Sequence, residues 1–311
     1  FLSADRVDAG GDCHAAVAGV ADPRRPALEI PAWILKPFAA MAIPPRIVLI
    51  TGCVRDVAAT LRYELQRFQQ ALCDVQEVRW FLVESDSEDD TPSVLAALAE
   101  EMESFRFKVL GQLRQRWPEC TERIAHCRNH YLDELRSPRH QDVDVVVIAD
   151  FDGVCNVFSQ EAWQSAWIRD DWAFCTANQK GLYYDIWALR HPEWCPDDCW
   201  QQYRLLCASG MVAKEALHQA VYSRMVDVPR DSDWIEVDSA FGGLAIYRRK
   251  ALLAGRYTGI DTAGGAICEH VSLHERIRVD GGRIFINPRL INTGLTLHTA
   301  RAIASRLRRT V

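Results

Sequence analysis

Two carboxylates one residue apart, Asp150-Phe-Asp152, stand where the apolar run Asp144-Val-Val-Val-Ile-Ala149 abruptly stops. Alternation along an extended chain points residues 150 and 152 to the same side. A pair of carboxylates is a hard-oxygen site suited to Mg²⁺ or Mn²⁺. Such an ion can bridge the two phosphates of a nucleotide diphosphate and neutralise it as a leaving group. A D-x-D triplet is common by chance, and its plain alternative is a polar turn. Its place directly after an apolar strand, with Gly153 next, makes Asp150 and Asp152 candidate metal ligands.

A second cluster is Cys268-Glu-His-Val-Ser-Leu-His-Glu275. Glu269 is expected to open a helix after the flexible Thr262-Ala-Gly-Gly-Ala266, a position from which a carboxylate can touch a bound sugar or its acceptor. His270 and His274, four apart, share a helical face. The Glu does not lie between two His at the HExxH offsets of zinc proteases, which argues against that class. Polar residues bracing a core helix are the alternative for His274. Tyr183-Tyr-Asp-Ile-Trp-Ala-Leu-Arg190 combines aromatic rings, which stack on sugar C–H faces, with Asp185 and Arg190, which can bond hydroxyls. An aromatic core strand with Ile186 and Leu189 buried is the other reading. His298, in Gly294-Leu-Thr-Leu-His298, is incidental on the residues alone.

The elements that position these groups follow from apolar periodicity. Arg46-Ile-Val-Leu-Ile-Thr51 reads as a buried strand ended by Gly52 and Cys53. A helix follows, with Val57, Leu61, Leu65, Phe68 and Leu72 at three- and four-residue steps. Val78–Val83 is a second strand, running into Glu84-Ser-Asp-Ser-Glu-Asp-Asp90, a loop too charged to be buried. Thr91-Pro92 starts another helix, Thr as N-cap and Pro at the first helical position. Residues 105–110 suggest a third strand and 121–135 a helix. Arg123, Arg128 and Asn129 lie on that helix, with the two arginines off one tight stripe, so that one faces the site and the other solvent. The 144–149 run suits a central parallel strand. The β-α-β-α-β-α-β order predicts a doubly wound α/β half. In such sheets ligands bind beyond the carboxyl ends of strands, which singles out Thr51, Gly52, Arg55, Glu84, Ser85 and Asp86. After Gly153 the pattern turns irregular and α+β, with aromatic segments at 172–187, 234–247 and 283–291.

Composition bounds the function class. The 311 residues carry a net charge of −6, 49% hydrophobic and 25% charged residues, an ordinary globular balance. The acidic balance argues against a nucleic-acid partner and against a polybasic anchor. Eleven cysteines at irregular spacing fit reduced thiols in a cytoplasmic protein. Cys195 and Cys199 have no second pair to complete a zinc site. The stretch 30–50 is apolar but broken by Lys36, Arg46 and four prolines, so no span of ~20 residues crosses a bilayer. Residues 1–45 read as an extension. The start at Phe1 without Met suggests a piece of something longer.

With these residues in view, the chain resembles the GT-A glycosyltransferases. More narrowly, Arg123-Ile-Ala-His-Cys-Arg-Asn129, the Tyr184–Arg190 segment and a Phe241-Gly-Gly-Leu-Ala-Ile246 strand are similar to the fungal capsule-associated α-mannosyltransferases and their bacterial relatives. The resemblance implies an α/β fold of GT-A type: a Rossmann-like nucleotide half (46–153) with a mixed central sheet, fused to an α+β acceptor half (154–311). It implies a GDP- or UDP-linked sugar donor, a glycan or glycolipid acceptor, and Mn²⁺ or Mg²⁺ held by Asp150, Asp152 and His298. It places base and ribose on Thr51–Arg55 and Glu84–Asp86, with Arg123, Arg128 and Asn129 on the donor. Acceptor and sugar would meet Tyr184, Asp185, Trp187, Arg190, Gly242, Gly243 and His270, with Glu269 and Asp152 central to catalysis. Retention of configuration, a mannose-like hexose, polysaccharide biosynthesis and a location in the cytoplasm or peripherally at the inner face of a membrane complete the expectation.

Two other classes compete. A sugar nucleotidyltransferase would show a Gly-rich loop with Lys or Arg after strand one, whereas Thr51-Gly-Cys-Val-Arg55 has one Gly and no Lys. A non-catalytic carbohydrate-binding domain would leave the two strand-end carboxylates without a task.

Overall fold

The computed structural model describes residues 44–307, apart from the side chains of His298, Arg306 and Leu307. The extension expected at 1–45 lies almost wholly outside the described residues. The first half runs β1 (Ile47–Val54), α1 (Leu61–Ala71), β2 (Glu77–Glu84), α2 (Thr91–Glu101), β3 (Phe105–Val109), α3 (Cys120–Leu135) and β4 (Val145–Ala149). The second half adds α4 (Gln160–Gln164), β5 (Phe174–Gln179), α5 (Cys199–Ala208), α6 (Ala213–Ala220), β6 (Ile235–Glu236), β7 (Leu244–Arg248), α7 (Arg249–Leu252), α8 (Glu269–Val279), β8 (Ile284–Thr293) and α9 (Leu297–Leu307).

All eight strands join one sheet in the order β3-β2-β1-β4-β7-β5-β8-β6. β3, β2, β1 and β4 are parallel. β7 is wedged antiparallel between β4 and β5, and β5 pairs parallel with β8. The fold is therefore α/β with a mixed central sheet, as expected, and both halves of the chain contribute to it. β1 and β4 are buried on both faces, which is why they read as continuous apolar runs. Their alternate side chains feed two cores. Val48 and Ile50 meet the apolar sides of α1, α2 and α4 on one face, while Leu49 meets α3 and α8 on the other.

This topology gathers chain ends at one edge. The carboxyl ends of β1, β2, β4, β5 and β8 lie there together. Because β7 runs the other way, its beginning lies there too: Leu244 pairs with Ala149, so Gly242-Gly243 is delivered beside Asp150. Between β1 and β4 the chain order reverses direction along the sheet, the switch point at which such folds open a crevice.

Several local expectations are corrected. β1 does not stop at Thr51 but pairs with β2 through Val54. Gly52 makes this possible, since a Cβ there would lie 2.1 Å from the Ala149 carbonyl oxygen and 2.8 Å from the Phe151 ring. The loop after β2 is not wholly exposed: Glu84, Ser85 and Asp86 are buried. Glu84 Oε1 accepts the Ser87 amide, and Asp86 Oδ1 accepts the Leu113 and Arg114 amides, so part of their polarity is met internally, while Glu84 Oε2 is buried without a partner among the described residues. Asp90, not Thr91, is the N-cap of α2; the Thr91 hydroxyl accepts the Val57 amide instead. Residues 241–243 are a turn before β7 rather than strand, with Gly242 and Gly243 at φ 70° and 81°. The Tyr183–Arg190 segment is irregular chain rather than strand, with Tyr183, Ile186 and Leu189 buried. Among the described residues no helix is long and apolar enough to cross a membrane.

The Gly52 contact yields a direct test. Gly52→Ala drives a methyl into backbone, and overpacking of this kind costs about 1–3 kcal/mol. Urea denaturation is expected to show that loss; an unchanged midpoint would mean that β1 and β4 are not in this close approach.

Candidate functional site

The Asp150-Phe-Asp152 turn is built by its middle residue. Phe151 is 1% exposed and packs on Phe68 of α1 at 5.5 Å between ring centroids. Sinking the aromatic ring into the core leaves the flanking carboxylates at the sheet edge. The Asp150 amide continues the ladder by donating to the Gly243 carbonyl at 2.9 Å. Gly153 then reverses the chain at φ 93°. Asp152 is exposed and Asp150 partly buried. Burial raises the Asp150 carboxyl above its ordinary value; Arg128 pulls it back, while Asp152 and Glu269 push it up.

Arg128, from the middle of α3, joins the two clusters found in the sequence. It donates from Nε to Glu269 Oε1 at 2.9 Å and from Nη2 to Asp150 Oδ1 at 3.2 Å. Its guanidinium also bonds the Tyr131 hydroxyl and lies over the Phe241 and Tyr257 rings, 5.2 and 5.8 Å from their centroids. Arg128 and Glu269 are both buried. Arg123 does not face solvent either: Nε lies 3.5 Å from Asp86 Oδ2, and Nη1 donates to the Trp117 carbonyl. The helix bends neither arginine outward because each meets a carboxylate at the strand ends.

A wall of the edge is the Gly242-Gly243 turn. Asp185 Oδ2 accepts the Gly242 amide at 2.8 Å. Gln179 and Asn292 donate to the Gly242 carbonyl. A Cβ on Gly243 would lie 2.7 Å from the Tyr184 hydroxyl. Burial pushes the Asp185 carboxyl up to about 6, the Gly242 amide opposing and Asp150 adding to the rise. Tyr184, Asp185, Gly242, Gly243, Asp150, Arg128 and Glu269 thus form one neighbourhood.

On the other side of β1, a narrow cleft with only about 10 Å³ of enclosed room is lined by Cys53, Arg55, Ser85, Asp86, Cys120, Arg123, Ile124 and Cys127. Arg55, Ser85, Asp86 and Arg123, singled out from strand ends and the preceding helix, meet there. Thr51 does not reach it; it is buried and donates to the Phe81 carbonyl. Glu84 is turned to the Ser87 amide. Asn129 clasps the Tyr257 backbone, donating to its carbonyl and accepting its amide, so it holds the approach to α8.

Other sequence candidates sit further in. Trp187 Nε1 and Arg190 Nη2 both donate to Asp198 Oδ2 at the start of α5. His270 is buried, stacked on Phe241 at 3.9 Å, and burial holds its ring neutral. His274 bonds the Ser239 and Tyr247 hydroxyls, the bracing role weighed from sequence. The side chain of His298 lies outside the described residues. Cys195 contacts Arg224 and the Asp197 carbonyl.

Sequence reasoning missed Glu64, Gln179, Asn292 and Tyr257. Glu64 had a signal: it is a lone carboxylate in the apolar stripe of α1, beside Leu61, Leu65 and Phe68. It is buried and accepts the Gly153 amide at 3.1 Å. Burial pushes its carboxyl up to about 7, and Asp152 raises it further against the pull of the Gly153 amide.

The donor set fits a hard divalent cation that a ligand helps to hold. Among the described residues no three His, Cys, Asp or Glu side chains converge into a complete shell. Mg²⁺-type sites commonly use one or two carboxylates plus substrate phosphates, which Asp150 and Asp152 can supply in part. Burial raises the Asp150, Glu64 and Asp185 carboxyls and neighbouring carboxylates add to the rise; a cation nearby would favour their charged forms.

No protein-family model matches the chain, and no curated protein matches it significantly. Among solved structures it is similar to the mannosyltransferase PcManGT from Pyrobaculum calidifontis in complex with GDP-Man and Mn²⁺. Identity is 17%, coverage is 89% of this chain and 65% of that one, and the TM-score is 0.48. The present chain therefore spans less than two thirds of that protein's length. It is also similar to glucosyl-3-phosphoglycerate synthase from Mycobacterium tuberculosis, in complex with Mn²⁺, uridine diphosphate and phosphoglyceric acid. That match has 14% identity, 85% and 78% coverage, and a TM-score of 0.35.

Arg128 offers the sharpest test of this neighbourhood. Arg128→Met leaves Glu269 buried without its partner, and breaking a buried ion pair from one side costs about 3–5 kcal/mol. Chemical denaturation is expected to show a loss of that order. A loss below ~1 kcal/mol, the value of an exposed pair, would place the guanidinium in solvent.

Proposed function

We propose that the protein is a metal-dependent glycosyltransferase of GT-A type that moves a hexose from a GDP- or UDP-linked donor to a glycan or glycolipid acceptor. The observation that carries this reading is the pair Asp150 and Asp152 at the end of β4, beside the switch point of the sheet, with Arg128 and Glu269 braced behind them. The division of labour follows the sheet: residues 46–153 receive the nucleotide and 154–311 shape the acceptor side. Base and ribose lie over the strand ends at Arg55, Ser85, Asp86 and Arg123, outside the narrow cleft these residues line. Tyr184, Asp185 and the Gly242-Gly243 turn border the transferred sugar.

Asp150, Asp152 and, in the family pattern, His298 would hold Mn²⁺ or Mg²⁺. When bound, that ion offsets the charge developing on the departing diphosphate. Asp150 is kept in place by the Gly243 carbonyl through its amide and by Arg128 through its carboxylate. The Gly242-Gly243 backbone approaches closely because no side chain intervenes. A nucleotidyltransferase reading is weaker, since the β1 loop lacks the Gly-rich, basic grip for a triphosphate.

A thermal-shift panel of GDP, UDP and ADP with and without Mn²⁺ tests the donor class. A ligand that binds the native state raises stability by its concentration over Kd. GDP or UDP with Mn²⁺ is expected to stabilise the wild type more than ADP, and Asp152→Asn is expected to lose the Mn²⁺-dependent part and the transfer activity. Full activity of Asp152→Asn in Mn²⁺ buffer would remove the metal assignment.

The same reading makes the enzyme a retaining one, with Glu269 as a positioning residue. A general base must be within reach of the acceptor hydroxyl, whereas Glu269 is buried and bonded to Arg128. General-base catalysis contributes ~10²–10⁴-fold, so Glu269→Gln is expected to fall short of the upper end of that loss. Proton NMR of the product decides: an inverted anomer would promote Glu269 to catalytic base.

A further inference from the structure

Glu64 is a costly residue to place where it stands. It lies 89 positions before Gly153 in the chain, on the inward face of α1, between Leu61 and Leu65 and one turn from Phe68. It is 2% exposed. One oxygen, Oε1, accepts the Gly153 amide at 3.1 Å. The other, Oε2, is buried with no hydrogen-bond partner among the described residues. Leaving a buried acceptor unmade carries the full desolvation penalty of the group. An apolar residue would complete the stripe of α1 without that cost. The carboxylate is also close enough to Asp152 and Asp150 for both to oppose its ionisation. Packing therefore gives no reason for a third carboxylate here, whereas a cation at the turn does.

We propose that Glu64 is a positioning residue for a divalent cation at the Asp150–Asp152 turn. Oε1 fixes the Gly153 amide and with it the backbone that presents Asp152. Oε2 supplies an acceptor to the outer shell of the ion. The inference rests on the metal reading above and adds to it a group that the D-x-D pattern does not contain. Outer partners of this kind orient the direct ligands, and their loss typically lowers metal affinity 10–100-fold. Because Glu64 comes from α1, it couples the metal turn to the core through Phe68, which touches Phe151, rather than through the sheet alone.

The experiment is titration with Mn²⁺, alone and again with GDP or UDP present, followed by the loss of the free-ion electron paramagnetic resonance signal against a protein-free control, on the wild type, Asp152→Asn, Glu64→Gln and Glu64→Leu. Melting temperatures without metal are recorded in parallel. Glu64→Gln keeps an oxygen for the Gly153 amide and nearly the same volume, so its metal-free melting temperature is expected to equal or exceed that of the wild type. Its Mn²⁺ affinity is expected to fall on the order of 10–100-fold. Glu64→Leu, which drops both acceptors but completes the apolar stripe, is expected to weaken Mn²⁺ at least as much, and serves if the Gln form does not fold. Wild-type Mn²⁺ affinity in either folded variant overturns the inference while leaving the function intact, provided that Asp152→Asn loses the ion. A wild type that binds no Mn²⁺ either alone or with GDP or UDP present overturns the metal reading and this inference together.

Discussion

The bridge from Arg128 to Glu269 and Asp150 is the interaction on which the remaining site geometry hangs. It ties α3, the start of α8 and the end of β4 at one point, and Glu269 on α8 comes from 141 positions away in sequence. A guanidinium removed from water is tolerable only if several groups share its charge and satisfy its donors. Here two carboxylates, the Tyr131 hydroxyl and the faces of Phe241 and Tyr257 do so. The planar fork reaches two carboxylates from one position, which the single charge of a lysine would not reproduce. Asn129, the next residue on α3, clasps the Tyr257 backbone, and Thr121 donates to the Gly259 carbonyl. One helix thus fixes both the ionic bridge and the chain that leads into α8.

A second constraint is close backbone packing around β4. Gly52 lets β1 come against the Ala149 carbonyl and the Phe151 ring, and Gly243 leaves room for the Tyr184 hydroxyl. These two contacts press the carboxylate turn from both neighbouring strands. The antiparallel insertion of β7 is what brings the second glycine to this edge, since a parallel strand in that place would present its far end. The mixed character of the sheet is therefore part of the site's construction.

Much of this was legible in the sequence because it is local. The apolar runs of β1, β2 and β4 and the strand-end carboxylates are read from a few adjacent residues. The start of α8 at Glu269 follows likewise from a glycine-rich approach. What stayed hidden is long-range pairing. That Arg128 turns inward to Glu269, 141 positions away, cannot be read from helical spacing, which sets it apart from Arg123 without telling what either meets. The burial of Glu84–Asp86 was missed for the same reason: their partners include the Leu113 and Arg114 amides and Arg123, none of which marks itself as an acceptor's mate in sequence. Trp187 and Arg190 are aromatic and basic as a sugar site requires, yet their donors are committed to Asp198.

The electrostatics add the last step. Burial lifts the Asp150, Asp185 and Glu64 carboxyls, and each is lifted further by another carboxylate of the group. Arg128 draws Asp150 back down. A group whose folded-state value is raised loses stability as pH climbs through it, so ionising Asp185 and Glu64, raised to about 6 and about 7, costs this edge stability as pH approaches and passes neutrality. Folds keep such strain where a ligand relieves it. On the proposed function, a divalent ion with a nucleotide diphosphate would satisfy that condition: Asp150 and Asp152 would hold the ion, and the diphosphate would supply the remaining negative charge. The order of elements then makes sense as a whole, with the core aromatic Phe151 holding the turn down and leaving the flanking acids at the sheet edge.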